Sequence, residues 1–114
     1  MAAEAPAPAV LLFWASWCAP CQAELRQLPA LREAAAPFAL RVVPYESDGR
    51  DLPRTVRAEE RWVPARPVIA LLADWKLPAA LPLTVVVGRS GDRCAVVRGG
   101  ISAPQLAALV RRCR

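Results

Sequence analysis

Residues 13–21 read Phe13-Trp14-Ala15-Ser16-Trp17-Cys18-Ala19-Pro20-Cys21 (FWASWCAPC), and the work of that cysteine pair decides how the rest of the chain is read. A Cys-x-x-Cys pair can be half of a metal site, a structural disulfide, or a thiol pair that does chemistry. Upstream, residues 10–15 are continuously apolar and short, which predicts a central strand covered on both faces. Downstream, residues 19–35 carry Leu25, Leu28, Leu31 and Ala35 at helical spacing, with Pro20 suited to a first turn. Pro29 lacks a backbone donor, so a kink is expected there. The pair therefore sits between a strand and a helix N-terminus.

That position separates the three readings. Zinc needs four ligands, and the chain has no histidine and only two other cysteines, Cys94 and Cys113, which form no second knuckle. Two cysteines in one helical turn make a tight, reducible disulfide, better suited to exchange than to stapling. At a helix start, free N–H groups and the positive end of the dipole favour a thiolate at Cys18. Cys21, one turn further in, is placed to attack a mixed disulfide on Cys18. Cys18 is expected to be the exposed thiol and Cys21 the shielded one.

The remaining chain gives an order. Residues 39–45 read as a second strand that Pro44 ends early, and residues 46–80 as a proline-punctuated connection with helices near 52–62 and 68–75. Residues 84–87 and 94–98 are β-rich and joined by Arg89-Ser90-Gly91-Asp92, a hairpin signal. Ser102 looks like an N-cap and Pro104 a first-turn residue of a last helix reaching about 112. A β-α-β unit followed by β-β-α predicts an α/β fold, one mixed sheet with helices on both faces. Residues 1–9 read as a flexible lead-in and 10–114 as one domain, with 55% hydrophobic residues among 114 to supply a single core.

Composition excludes several classes. No apolar run approaches the ~20 residues that span a bilayer. The formal charge of +5 comes from scattered arginines without a basic block or interleaved aromatics, so nucleic-acid binding is not expected. The first ten residues lack a basic n-region and an h-region with a cleavage site, so no signal peptide is visible.

The segment FWASWCAPC resembles the active-site segment of the thioredoxin superfamily. Leu81-Pro82-Leu83-Thr84-Val85-Val86-Val87 is similar to its cis-proline segment, and Gly99-Gly100-Ile101-Ser102 to its closing turn into the last helix. These anchors span residues 10–112. Within the superfamily, Cys21-Gln22-Ala23-Glu24 resembles the continuation seen in TlpA/ResA-like thiol–disulfide oxidoreductases. The resemblance implies a minimal thioredoxin fold, a cis Leu81–Pro82 bond, and a location in the periplasm or at the cell exterior. It implies a groove shaped by Trp17, Ala19, Pro20, Leu81 and Pro82, where the Leu81 backbone pairs with an extended substrate segment. It also implies that Glu24 assists proton transfer at the cysteine pair; the plainer reading is a solvated helix glutamate. The chain departs from the family at Leu12, where many thioredoxins bury an acid, and at Arg26, where the TlpA/ResA pattern often has proline. No counterpart of the strands and helix that usually precede the active-site strand is expected from residues 1–9. Trp14 reads as core, and Trp17 as a surface shield beside the nucleophile.

Ala19-Pro20 between the cysteines contains no histidine of the kind strong oxidants of the superfamily have, and its proline resembles the reducing members. The expected function is a thiol–disulfide oxidoreductase acting as a reductase on disulfide-containing proteins, re-reduced by a protein or a small thiol. No cofactor is called for, because the electrons reside in the cysteines, and a monomer is expected. The alternatives are an oxidase or isomerase of the same fold, or a redox-inert adaptor that uses the groove only to hold partners. Strand and helix lengths bring Cys94 and Cys113 to the end of the molecule opposite the active site. There they form either a disulfide closing 18 intervening residues, worth roughly 3 kcal/mol, or two unrelated thiols.

Overall fold

β1 (Ala9–Trp14) is buried at every position and lies in the interior of a sheet ordered β2-β1-β3-β4, in a computed structural model that describes residues 5–46 and 48–114. β2 (Ala39–Pro44) pairs with β1 in parallel, while β3 (Leu83–Val87) and β4 (Arg93–Arg98) complete the sheet in antiparallel fashion. The alternation of β1 assigns its side chains to two layers. Val10, Leu12 and Trp14 join Leu25, Leu28, Leu31, Leu106 and Val110, from the helices α1 (Ala19–Leu25), α2 (Leu28–Ala35) and α4 (Ala103–Cys113). Leu11 and Phe13 join Val68, Leu71, Leu72 and Trp75 at α3 (Val68–Asp74) on the opposite face. The expected mixed sheet with helices on both faces is what forms.

Several local expectations are corrected. β1 starts at Ala9, inside the expected lead-in, because Ala9 pairs with both Ala39 and Val87. Ala5 is also buried, against the α3-side core, while residues 1–4 of that lead-in lie outside the described residues. The helix expected over 19–35 is two helices, broken at Arg26 and Gln27 rather than kinked. Pro29 has no N–H for the Leu25 carbonyl and instead occupies the first turn of α2, where none is required. No α-helix forms over 52–62; the segment makes turns and a 3₁₀ helix at Ala58–Glu60, consistent with Pro53 and the few apolar residues available for a buried face. The hairpin turns through Gly91, whose φ of +89° is the left-handed conformation glycine adopts freely. Ser102 caps α4 through its hydroxyl, which accepts from the Gln105 N–H.

Register then fixes the site. Phe13 pairs with Leu83, so the loop leaving β1 and the Leu81–Pro82 segment entering β3 lie at the same end of the sheet.

Candidate active site

Cys18 is the N-cap of α1, with extended backbone at φ −96° and ψ 98°. Its Sγ accepts from the Cys21 N–H at 3.2 Å, a donor left unsatisfied by the helix itself. Pro20 brings no competing N–H to this first turn. The two cysteines form a disulfide with Cα atoms 5.2 Å apart. When the pair is reduced, a donor aimed at Cys18 Sγ favours its thiolate, because a hydrogen bond to an ionised acceptor is the stronger kind. Cys18 is 5% exposed and Cys21 1%, so the expectation of an exposed Cys18 is corrected: in the oxidised pair both sulfurs are screened. The outermost position belongs to Trp17, 65% exposed, whose Nε1 donates to Glu46 Oε1 at 2.7 Å. Gln22 Nε2 donates to the Ser16 carbonyl at 2.6 Å and ties the loop to α1.

Of the residues expected to shape a groove, Trp17, Ala19 and Pro20 adjoin the pair in the chain, and Leu81 and Pro82 enter β3 at the same end of the sheet. Ala19 and Pro20 are exposed at the start of α1. The Leu81–Pro82 bond is cis, Pro82 is buried, and its carbonyl accepts from the Gly99 N–H at 3.0 Å. Leu81 is half-buried and packs against the core cluster that contains Cys18 and Cys21.

Glu24 shares the inward face of α1 with Cys21 and Leu25 and is only 4% exposed, so it is not a solvated helix glutamate. Its Oε2 accepts from the Ile101 N–H at 2.9 Å. Burial pushes its carboxyl up from 4.5 to about 7, against the downward pull of that hydrogen bond. A cavity of about 370 Å³ lined by Pro20, Ala23, Gln27, Ile101, Ser102 and Gln105 reaches Glu24, and among the described residues that line it no other is charged. Leu12 is fully buried, so the position where many thioredoxins carry an acid is apolar here. A carboxyl that titrates at about 7 can take and return a proton near neutral pH.

Sequence reasoning missed Ile101 as a partner of Glu24 and Glu46 as the partner of Trp17. Ile101 was legible as part of a closing turn, but its N–H meets a residue 77 positions away, and nothing local marks that contact. Trp14 is core, as expected, with its indole N–H unpartnered. Cys94 and Cys113 are disulfide-bonded, which settles the alternatives left open above.

The four-stranded mixed sheet, the helices on both faces and the capped CxxC disulfide beside a cis-proline loop define a thioredoxin fold of the thiol–disulfide oxidoreductase type. No protein-family model matches the chain, and no curated protein does. Solved structures do match. A thioredoxin-family thiol:disulfide interchange protein from Chlorobium tepidum superposes with a TM-score of 0.70 at 16% identity, over 92% of this chain and 78% of its own. A thio-disulfide isomerase from Thermus thermophilus gives 0.69 at 25% identity, over 98% and 82%. StoA from Bacillus subtilis, a TlpA/ResA-like protein, gives 0.59 at 19%, over 89% and 80%. The fold and the recognised superfamily agree. No described helix is long and apolar enough to cross a membrane.

Proposed function

We propose that the chain reduces disulfides in protein substrates. The observation that carries this reading is the Cys18–Cys21 disulfide at the start of α1, with the Cys21 N–H on Cys18 Sγ. The Cys18 thiolate attacks a substrate disulfide, forms a mixed disulfide and expels one substrate thiolate, which takes a proton. Glu24 removes the proton of Cys21, whose thiolate attacks Cys18 Sγ and expels the second substrate sulfur. Two electrons pass to the substrate and the Cys18–Cys21 disulfide remains, to be reduced again by a protein or small thiol.

An extended substrate segment docks along the Leu81 backbone, between Pro82 and the surface formed by Trp17, Ala19 and Pro20. The reducing direction rests on the Ala19-Pro20 dipeptide, which offers no histidine to stabilise the dithiol form as strong oxidants do. The second disulfide favours an oxidising compartment, in keeping with the extracytoplasmic location that the TlpA/ResA resemblance implies. Equilibration of the Cys18–Cys21 pair against glutathione tests the direction. A potential near about −270 mV supports the reductase, and one near about −120 mV makes the protein an oxidant.

A further inference from the structure

The chemistry at Cys18 and Cys21 leaves a second disulfide unused. Cys94, exposed on β4, is bonded to Cys113, half-buried in the last turn of α4, with Cα atoms 5.9 Å apart. α4 is already anchored without it, by the Ser102 cap and by buried Leu106, Leu109 and Val110; the bridge lies beyond the last of these. It also lies far from the first pair. α4 starts beside Ile101, the partner of Glu24, and carries Cys113 ~15 Å away along its axis.

Charge marks the same place. All ten acids of the chain fall within residues 1–92, together with ten of its fifteen basic residues. Residues 93–114 hold the other five, Arg93, Arg98, Arg111, Arg112 and Arg114, and no acid, so the whole formal charge of +5 resides on β4, the closing turn and α4. Four of these arginines stand within two residues of a bridge cysteine, and all four are exposed. The nearest acid in sequence, Asp92, lines a surface cavity with Arg93, Asp74 and Lys76. Neighbouring Cα atoms are ~3.8 Å apart, so the backbone positions of these four arginines lie within roughly a Debye length, ~8 Å at physiological salt, of a bridge cysteine.

We propose that Cys94–Cys113 is a second thiol–disulfide exchange site, one that takes small anionic thiols, compounds carrying carboxylates beside the reacting sulfur. The thiolate of one such molecule attacks the Sγ of the exposed Cys94, the Sγ–Sγ bond breaks, and Cys113, flanked in sequence by Arg112 and Arg114, leaves as a thiolate. A second molecule attacks the small-molecule sulfur of the mixed disulfide and expels the Cys94 thiolate. Two small thiols are thereby oxidised to their disulfide, two electrons reduce the cysteine pair, and the protons the small thiols lose return to the cysteines. The arginines serve both halves of the step: they concentrate the anionic reagent and stabilise the leaving thiolate.

This site is independent of the reading given to Cys18 and Cys21, and the experiment separates the two. The folded full chain is treated with glutathione (anionic), 2-mercaptoethanol (neutral) or cysteamine (cationic), quenched by alkylation, and each disulfide is followed by its own peptides. With rates scaled to thiolate concentration, glutathione opens Cys94–Cys113 about tenfold faster than cysteamine at low salt, and the ratio approaches one at about 1 M salt. Arg111→Gln, Arg112→Gln and Arg114→Gln together remove most of the preference at low salt while the protein stays folded. Equal rates for the three thiols at low salt, or a bridge that opens only in denaturant, overturn the proposal.

Discussion

The carboxylate of Glu24 on α1 and the backbone N–H of Ile101, 2.9 Å apart and 77 residues apart in sequence, join the helix that carries the cysteine pair to the turn that starts α4. Two positions before Ile101, the Gly99 N–H donates to the Pro82 carbonyl at 3.0 Å. One short segment thus fixes the buried carboxyl and the cis-proline loop relative to each other. A single backbone donor does not offset the loss of water around the carboxylate, so the ionised form is disfavoured and the carboxyl titrates at about 7.

That raised value makes Glu24 a stability determinant with a definite sign. The folded state holds the Glu24 proton up to pH about 7, while the unfolded chain gives it up near 4.5. Its contribution is complete below pH ~4.5 and is lost as pH rises towards 7, by roughly 3 kcal/mol at most. Glu24→Gln keeps an acceptor for the Ile101 N–H and does not ionise. Denaturant melts at pH 5 and pH 8 check this: the variant should gain stability relative to wild type between the two, and an unchanged difference would refute the titration.

The same variant separates the two chemical steps. Attack by Cys18 on a substrate disulfide should proceed at the wild-type rate in Glu24→Gln, whereas release by Cys21 should slow more than tenfold, since positioned acid–base groups contribute ~10²–10⁴-fold. Wild-type release should rise with pH through about 7, as the carboxylate forms, and that limb should disappear in the variant. Stopped-flow traces that superimpose across pH 5 to 9 would reduce Glu24 to a structural residue.

The two cysteines should be unequal once reduced, even though both are screened in the disulfide. Cys18 caps the helix with the Cys21 N–H at its sulfur and is 5% exposed, against 1% for Cys21. Alkylation of the reduced protein at pH 6 should label Cys18 first. Cys21→Ser should accumulate a stable mixed disulfide with a substrate protein, and Cys18→Ser should not. Trapping by the second variant instead would reverse the roles.

How far the sequence could be read depended on the range of the forces involved. β1, the β3–β4 hairpin and α4 were legible because each is specified locally, by an apolar run, by Gly91 in a tight turn and by Ser102 as a cap. Residues 52–62 were misread because their sparse apolar side chains fit a turn-rich segment as well as a helix; what settles the segment is Arg32, which reaches it from α2. The CxxC pair was legible from its position after a strand. The burial of Glu24 was not, because it is created by a turn that arrives 77 residues later. Cys94 and Cys113 could be brought to one end of the molecule by counting rises, but their bonding depends on lateral offset across the sheet, which spacing does not encode.

Arg32 supplies the last prediction. Its Nε donates to Glu60 Oε2 at 2.6 Å and its guanidinium to Glu60 Oε1 at 2.8 Å, with a further bond to the Thr55 carbonyl, while Glu60 Oε1 also accepts from the Arg57 N–H at 2.8 Å. Burial by itself would push the Glu60 carboxyl up; the bonds from Arg32 and Arg57 and the arginine charges outweigh it and hold the group below its ordinary value. The stability this adds is present above the unfolded value of 4.5 and is lost as pH falls below it. Removing one partner leaves the other buried and uncompensated, the costly case for an ion pair. Arg32→Ala should therefore destabilise the fold by about 2–4 kcal/mol at pH 7, discounted from the fully buried case because the Arg32 side chain is 18% exposed. The loss should shrink as Glu60 is protonated towards pH 4, which urea melts across that range would show. A penalty that is independent of pH would mean that Arg32 acts by packing alone.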